Sequence, residues 1–270
     1  MTALDSRLSL DLGKPTTFVE LSHEMVRGMP NHYSHPAYDL VPYYRPGDFV
    51  LEGGYGGANE LMLMSGHSGT HLDALGHVTR GGVGFGGATT SELSAGLDGL
   101  ALNGIDTVGP ILRRGVLLDF VRFRGGPVGP ERAITGADVE ALLEHDGLAI
   151  ETGDCVLVRT GWSRLWGDPA AYMGEGTGTP GIDVSAADYL CDRGAFLIGG
   201  ETATVEHQAK DDHSLPVHMR VLAERGVHLL ENMDLERIGQ RDERVFVFVC
   251  LPLRLKGATG SPVRAVAAIQ

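Results

Sequence analysis

The sequence is short of cysteine, short of basic residues and without any long apolar run, and each shortage closes a class of function. Cys155, Cys191 and Cys250 are its only three cysteines. An odd, widely spaced set supports neither a disulfide framework nor a thiolate metal site. It reads as buried, reduced thiols in a cytoplasmic protein. Lys and Arg number 22 against 35 Asp and Glu, a formal net charge of -13. That balance argues against a nucleic-acid backbone or an anionic membrane surface as partner. No window reaches the apolar length of a membrane span, and residues 1–15 hold no apolar core of the kind a signal peptide needs. There is no G-x-S-x-G elbow for a serine hydrolase. The glycine-rich run GGVGFGG at 81–87 lacks the lysine of a phosphate-binding loop.

What remains is a chain of 270 residues, 43% apolar, able to bury a sizeable core. Its 39 glycines predict a loop-rich fold with tight turns. FVELSHEM (18–25) begins as a strand and meets a turn at Gly28-Met29-Pro30. Residues 31–60 show no period and read as loop. LMLM (61–64) reads as a short buried strand. GVLLDFV (115–121), DCVLVRTG (154–161), AFLIGG (195–200), VHLLEN (227–232), VFVFVCLPL (245–253) and PVRAVAAI (262–269) read as further strands. TGADVEALLEHDG (135–147) predicts a helix with Thr135 as N-cap, Asp138 closing a capping box and Gly147 as the stop. DVSAADYLCDRG (183–194) and LPVHMRVLAERG (215–226) predict two more, the latter with Pro216 in its first turn. Strands alternate with helices only in the second half, so the fold class is mixed α and β and not a simple doubly wound sheet.

The densest chemistry lies in HSGTHLDALGH, which places His67, His71, Asp73 and His77 within eleven residues. Imidazole and carboxylate suit Zn²⁺ or a similar divalent ion. In a straight strand His67 and His71 would stand about 13 Å apart at Cα, too far for one ion. The chain must bend between them, and Gly69 permits that. His71 and Asp73 can stay extended and face one way. His77, four residues on, reaches the edge of such a site, where a proton carrier belongs.

This run resembles the H-x-G-T-H-x-D-x-x-x-H signature of the cyclase family, which includes bacterial arylformamidases (kynurenine formamidases) and isatin hydrolases. Leu75 stands where the family usually has proline. LSHEMVRGMP (21–30), GDCVLVRTGW (153–162) and LPVHMRVLAERGVHLLEN (215–232) resemble its other segments, so the likeness covers most of the chain. The resemblance implies a single compact α/β domain over 16–270 with a β-barrel-like mixed sheet and surrounding helices, preceded by an arm over 1–15. It implies a homodimer or homotetramer.

It further implies that His67, His71 and Asp73 ligate a first metal and that His77 is the catalytic histidine. His218 and Glu231 then match the late residues that complete the site in two-metal members. The implied activity is metal-dependent hydrolysis of an amide, formamide or lactam C–N bond in a small, aromatic or cyclic substrate. The cofactor is one or two Zn or Mn ions per subunit, and His77 acts as general base and acid on metal-activated water. A metal-dependent cyclase or lactone hydrolase would use the same site. A metal-stabilised ligand-binding protein without turnover is the reading from another class. His23, His32, Tyr33 and His35 fall in an early loop that would border the substrate. GGETATVEH (199–207) also resembles a family segment, but Glu201, Glu206, His207 and His213 read best as polar groups of loops. His145 and His228 read as structural, and Trp162 and Trp166 as packing residues.

Overall fold

The computed structural model describes Asp11 and residues 13–270. Most of the arm expected over 1–15 therefore lies outside the described residues. The strands, in chain order, are β1 (Thr17–Glu20), β2 (Asp39–Tyr44), β3 (Asn59–Leu63), β4 (His71–Asp73), β5 (Ile111–Asp119), β6 (Cys155–Arg159), β7 (Gly178–Thr179), β8 (Leu197–Gly200), β9 (Gln208–Ala209), β10 (His228–Glu231), β11 (Val245–Cys250), β12 (Gly260–Pro262) and β13 (Val266–Ile269). Nine of them make one mixed sheet in the order β1-β13-β11-β5-β6-β8-β10-β4-β12, curled into a half-barrel and flanked by helices. Its centre, β5-β6-β8-β10, is parallel. Both flanks are antiparallel.

The two faces of the central strands explain their near-continuous apolar sequences. Along β5 and β6, Val116, Leu118, Val156 and Val158 point to one core, while Leu117, Cys155 and Leu157 point to another. The first core is closed by helix Gly136–Asp146, helix Val184–Asp192 and the helical turns after Pro216 through Val139, Leu142, Leu190, Val221 and Leu222. The second fills the inside of the curl, with Phe246, Phe248, Leu72, Leu230 and Met233. The helix over Gly136–Asp146 starts as its sequence predicts. Thr135 and Asp138 form the reciprocal capping box, and Gly147 ends the helix with φ +64°.

Three expectations are corrected. Residues 31–60 are not loop throughout, because β2 and β3 pair as an antiparallel hairpin. That hairpin is a ribbon standing off the core, and the apolar run at its end is not buried: Leu61, Met62 and Leu63 are 63%, 55% and 60% exposed. The helix expected over 215–226 is one α turn, Pro216–His218, followed by a π-helix, Met219–Arg225. A π-helix is uncommon and is frequent at functional sites.

Candidate metal centre

The carboxyl ends of the parallel strands share one edge of the sheet, the usual place for a site in such folds. β10 ends there at Glu231, and β4 runs antiparallel beside it with His71 directly opposite Glu231. Asp73, two residues on, shares the face of His71 because side chains alternate along a strand. His67 reaches the same point because the backbone turns at Gly69, which holds φ +61°. This is the bend the spacing demands. The His67 ring also needs glycine across from it: a Cβ at Gly260 would lie 2.7 Å from its Cε1.

His218 arrives from the other side, in the first turn after Pro216. Glu206 fixes it. The Glu206 carboxylate accepts the backbone N–H of Val217 at 2.9 Å and of His218 at 3.1 Å, and its Oε1 lies 2.5 Å from His218 Nδ1. Each imidazole is thus held by one nitrogen. His67 Nε2 meets the Thr259 hydroxyl at 2.8 Å, and His71 Nδ1 meets the Gly69 carbonyl at 2.8 Å. The other nitrogen of each ring turns inward. His67 Nδ1 is 2.8 Å from Asp73 Oδ1, His71 Nε2 is 3.1 Å from Glu231 Oε2, and His218 Nε2 is 2.9 Å from Glu231 Oε1 and 3.7 Å from Asp73 Oδ2.

These donors form two triads, His67/His71/Asp73 and Asp73/His218/Glu231, with Asp73 common to both and every member buried. Close as they are, His67 Nδ1, His71 Nε2, both Asp73 oxygens and Glu231 Oε1 are buried without a hydrogen-bond partner. Buried polar atoms in folded proteins are nearly always paired. Lone pairs converging at these distances without hydrogen-bond geometry are what a cation's ligands look like, and imidazole with carboxylate is a fitting donor set for a divalent ion. The pinned outer nitrogens are the supporting contacts that orient metal-binding imidazoles.

The electrostatics agree. Burial works to lower the imidazoles and to raise the carboxyls. At His71 the nearby carboxylates of Glu231 and Asp73 outweigh it and raise the ring above its ordinary value. At His218 Glu206 and Glu231 raise it well above. At Asp73 the charges of His77, His67 and His71 overcome burial and hold the carboxyl well below its ordinary range. At Glu231 burial and the Asp73 charge push up, and His218 and His71 bring the carboxyl down. In the chain alone, the neighbouring imidazoles favour the charged form of these carboxylates. A divalent cation favours that form too.

His77 stands beside the donors. It is half-buried, its ring 4.0 Å from that of His67 and 6.4 Å from that of His218, centroid to centroid. Burial lowers its pKa to about 4, against the pull of Asp73 and with the push of His67. All six residues singled out in the sequence thus meet at one place. Glu206 does not read as functional in the sequence, yet it is buried and holds His218. Its one sequence signal is its position in the GGETATVEH segment. Glu201 is also buried, and its Oε2 accepts the backbone N–H of Thr160 and of Gly161, each at 2.6 Å, while Oε1 accepts the Ser163 hydroxyl at 2.8 Å. Burial raises this carboxyl, with the Ser163, Thr160 and Gly161 hydrogen bonds opposing.

The early loop does border the site. Pro30, Asn31, His32 and His35 wall a narrow cleft over His67, His71 and Glu231, with room for about 10 Å³, one water-sized molecule. His35 stacks on His67 at 5.0 Å. Outside it opens a cavity of about 340 Å³, which shares Asn31, His32 and Met173 with the cleft. His23 packs flat on Trp166 at 4.1 Å, and the Trp162 indole N–H donates to the Tyr172 carbonyl at 2.8 Å. Both tryptophans pack, as expected. His228 Nδ1 lies 2.9 Å from the Asp73 carbonyl and His145 pairs with Asp146 at 2.7 Å, so neither enters the cluster.

Three comparisons bear on this arrangement. The family model described as a putative cyclase matches residues 19–207. That span holds His67, His71, Asp73 and His77 and stops short of His218 and Glu231. A kynurenine formamidase of Bacillus cereus is 30% identical over 141 residues, 52% of this chain and 62% of that protein. The chain thus covers less than two thirds of the length of the curated relatives it matches. Among solved structures, one described as a novel cyclase superposes with a TM-score of 0.85 at 25% identity, over 94% of this chain and 89% of that one. Isatin hydrolase A from Labrenzia aggregata, bound to benzyl benzoate, gives 0.73 at 21% identity over 94% of each chain.

Proposed function

The chain belongs to the putative-cyclase family, and from that membership we propose that it is a metal-dependent hydrolase of a C–N bond in a small amide, formamide or lactam. The observation that carries the reading is the pair of buried triads sharing Asp73, with their inward atoms unpartnered. His67, His71, Asp73, His218 and Glu231 would hold one or two divalent ions, zinc or manganese. Such an ion polarises a carbonyl and makes water a nucleophile at neutral pH. The chain supplies the rest. Glu206, Thr259 and the Gly69 carbonyl fix the imidazoles. His77 takes a proton on its ring nitrogen as water attacks and returns it to the leaving nitrogen, work suited to imidazole. His35 and the early loop limit water at the reacting carbon.

Residues 16–270 form one catalytic domain in this reading, since a single sheet joins β1 to β13. No described helix is long and apolar enough to cross a membrane, and three buried free thiols support a cytoplasmic setting. The protein acts on a small molecule as a homo-oligomer. The exposed apolar side chains of Val41, Tyr43, Leu61, Met62 and Leu63 on the β2–β3 ribbon support contact with a second copy, and molar mass in solution tests it.

The chemical test uses formanilides, isatins and lactones with purified, metal-analysed protein. Chelation should abolish turnover, and before it the products of each reaction taken together should be one water heavier than the substrate. His77→Ala should retain metal and lose about 10²- to 10⁴-fold in kcat. Full activity in that variant sinks the role of His77.

A further inference from the structure

The cavity beside the metal centre is walled by charge of one sign. Glu175, Asp211 and Asp212 line it with His32, Tyr33 and His213, and no lysine or arginine is among its lining residues. Lys210 adjoins Asp211 in sequence but does not line it. The three rings form a connected rim: His32 and Tyr33 lie 4.3 Å apart and Tyr33 and His213 5.7 Å, centroid to centroid. Tyr33 is 75% exposed, so its ring is open to a ligand. Gly174, Gly176 and Gly178 also line it, and their lack of side chains leaves the volume open. At about 340 Å³ the space takes a molecule of one or two rings. It shares Asn31, His32 and Met173 with the cleft over the metal ligands, so the cavity adjoins the reacting position and a ligand in it can extend toward that position.

Carboxylates around an open aromatic face are the surroundings that favour an ammonium group, through charge and through the ring quadrupole. The same walls repel a carboxylate. We propose that this cavity selects substrates bearing a cationic amino group on the part remote from the scissile bond and rejects those bearing a carboxylate there. The inference rests on the hydrolase reading for its substrate chemistry. The Ser214 side chain and backbone N–H keep the Asp212 carboxyl below its ordinary value, so that wall stays charged in mildly acidic solution.

The test takes zinc- or manganese-loaded protein and three formanilides matched in size, with aminomethyl, methyl or carboxyl at the para position. The expected order of kcat/KM is cation over neutral over anion, with roughly tenfold at each step. Substituting Glu175→Gln, Asp211→Asn and Asp212→Asn together should bring the ratio of cation to neutral close to one. Raising the ionic strength on the unsubstituted protein should narrow the same ratio. Equal or faster turnover of the carboxylate, or a ratio that neither salt nor the triple substitution moves, overturns the proposal. If no formanilide is turned over, the hydrolase reading for this class fails. Calorimetric binding of the three corresponding anilines then decides the cavity separately: the same order supports it, and equal binding overturns it.

Discussion

Two buried acidic sites stand at the same edge of the sheet and are finished in opposite ways. Glu201 is 1% exposed and its carboxylate accepts from Thr160, Gly161, Trp162 and Ser163, backbone and side chain together. The chain has built a complete anion cradle around it. Asp73 is fully buried and neither of its oxygens has a hydrogen-bond partner. Glu231, 4% exposed, leaves one oxygen in the same state. Burying a charge is costly unless it is paired. At Glu201 the partners are part of the fold, and at Asp73 and Glu231 they are incomplete without a cation. In the proposed reading, the contrast separates a carboxylate that the fold completes from two that a cation would complete.

The largest effect should come from breaking the incomplete site. Asp73→Asn removes the residue common to both triads, so metal content should collapse and turnover fall by about 10³-fold or more. The metal-free protein should change little in stability, because the lost attraction to the neighbouring imidazoles is offset by relief from burying a charge. Urea unfolding in the presence of chelator checks this. A loss of several kcal/mol there would mean that Asp73 is as finished as Glu201. The native protein should lose stability on chelation, by about 3 kcal/mol if the metal had been present at a hundred times its dissociation constant.

The finished site should answer the other way. Glu201→Ala strands the N–H groups of Thr160 and Gly161 inside the protein, so it should cost about 3 kcal/mol in urea unfolding. The folded fraction should keep its full metal content by elemental analysis. Metal loss from protein that remains folded would show that the cradle and the cluster are one site.

Between the two lies Glu206, saturated like Glu201 but serving His218. Glu206→Gln keeps the shape and removes the charge facing Nδ1. Metal affinity, measured by chelator competition, should fall about 10- to 100-fold, with stability changed by about 1 kcal/mol. An unchanged affinity would reduce Glu206 to a helix cap.

How much of this was readable in the sequence follows from distance along the chain. His67, His71, Asp73 and His77 lie within eleven residues, so their chemistry and the bend at Gly69 could be argued from spacing alone. His218 and Glu231 needed the family likeness, because only the pairing of β4 with β10 brings them to Asp73. Glu206 and Thr259 were not readable. Their meaning arises from contacts across 12 and 192 residues, and neither belongs to a periodic pattern. The strands of the sheet's centre were legible in GVLLDFV, DCVLVRTG, AFLIGG and VHLLEN, which are apolar on both faces, but their parallel pairing was not. The β2–β3 ribbon was not, because periodicity reports burial and this ribbon is exposed. The π-helix after His218 has the composition of an α-helix, and its sequence gives no sign of the extra residue per turn.

The smallest effect concerns a third carboxylate, which extends the comparison to the surface. Asp138 accepts the backbone N–H and hydroxyl of Thr135, as Glu201 accepts from its own cradle, but it sits at a helix start within reach of Arg124 and Arg132. Partial burial raises its carboxyl, and the Thr135 hydrogen bonds with the two guanidinium charges outweigh that and lower it. A carboxyl lowered in the folded state stabilises fully above its unfolded pKa, near 4 for aspartate. That contribution fades as pH falls through the folded value. Thr135→Ala should cost about 1 kcal/mol near neutral pH. The stability difference between the native protein and Asp138→Asn should be greatest near neutral pH, shrink below about pH 4 and be reduced by salt. Urea unfolding at stepped pH reads this directly. A gap that persists at pH 2 would assign the effect to packing and not to charge.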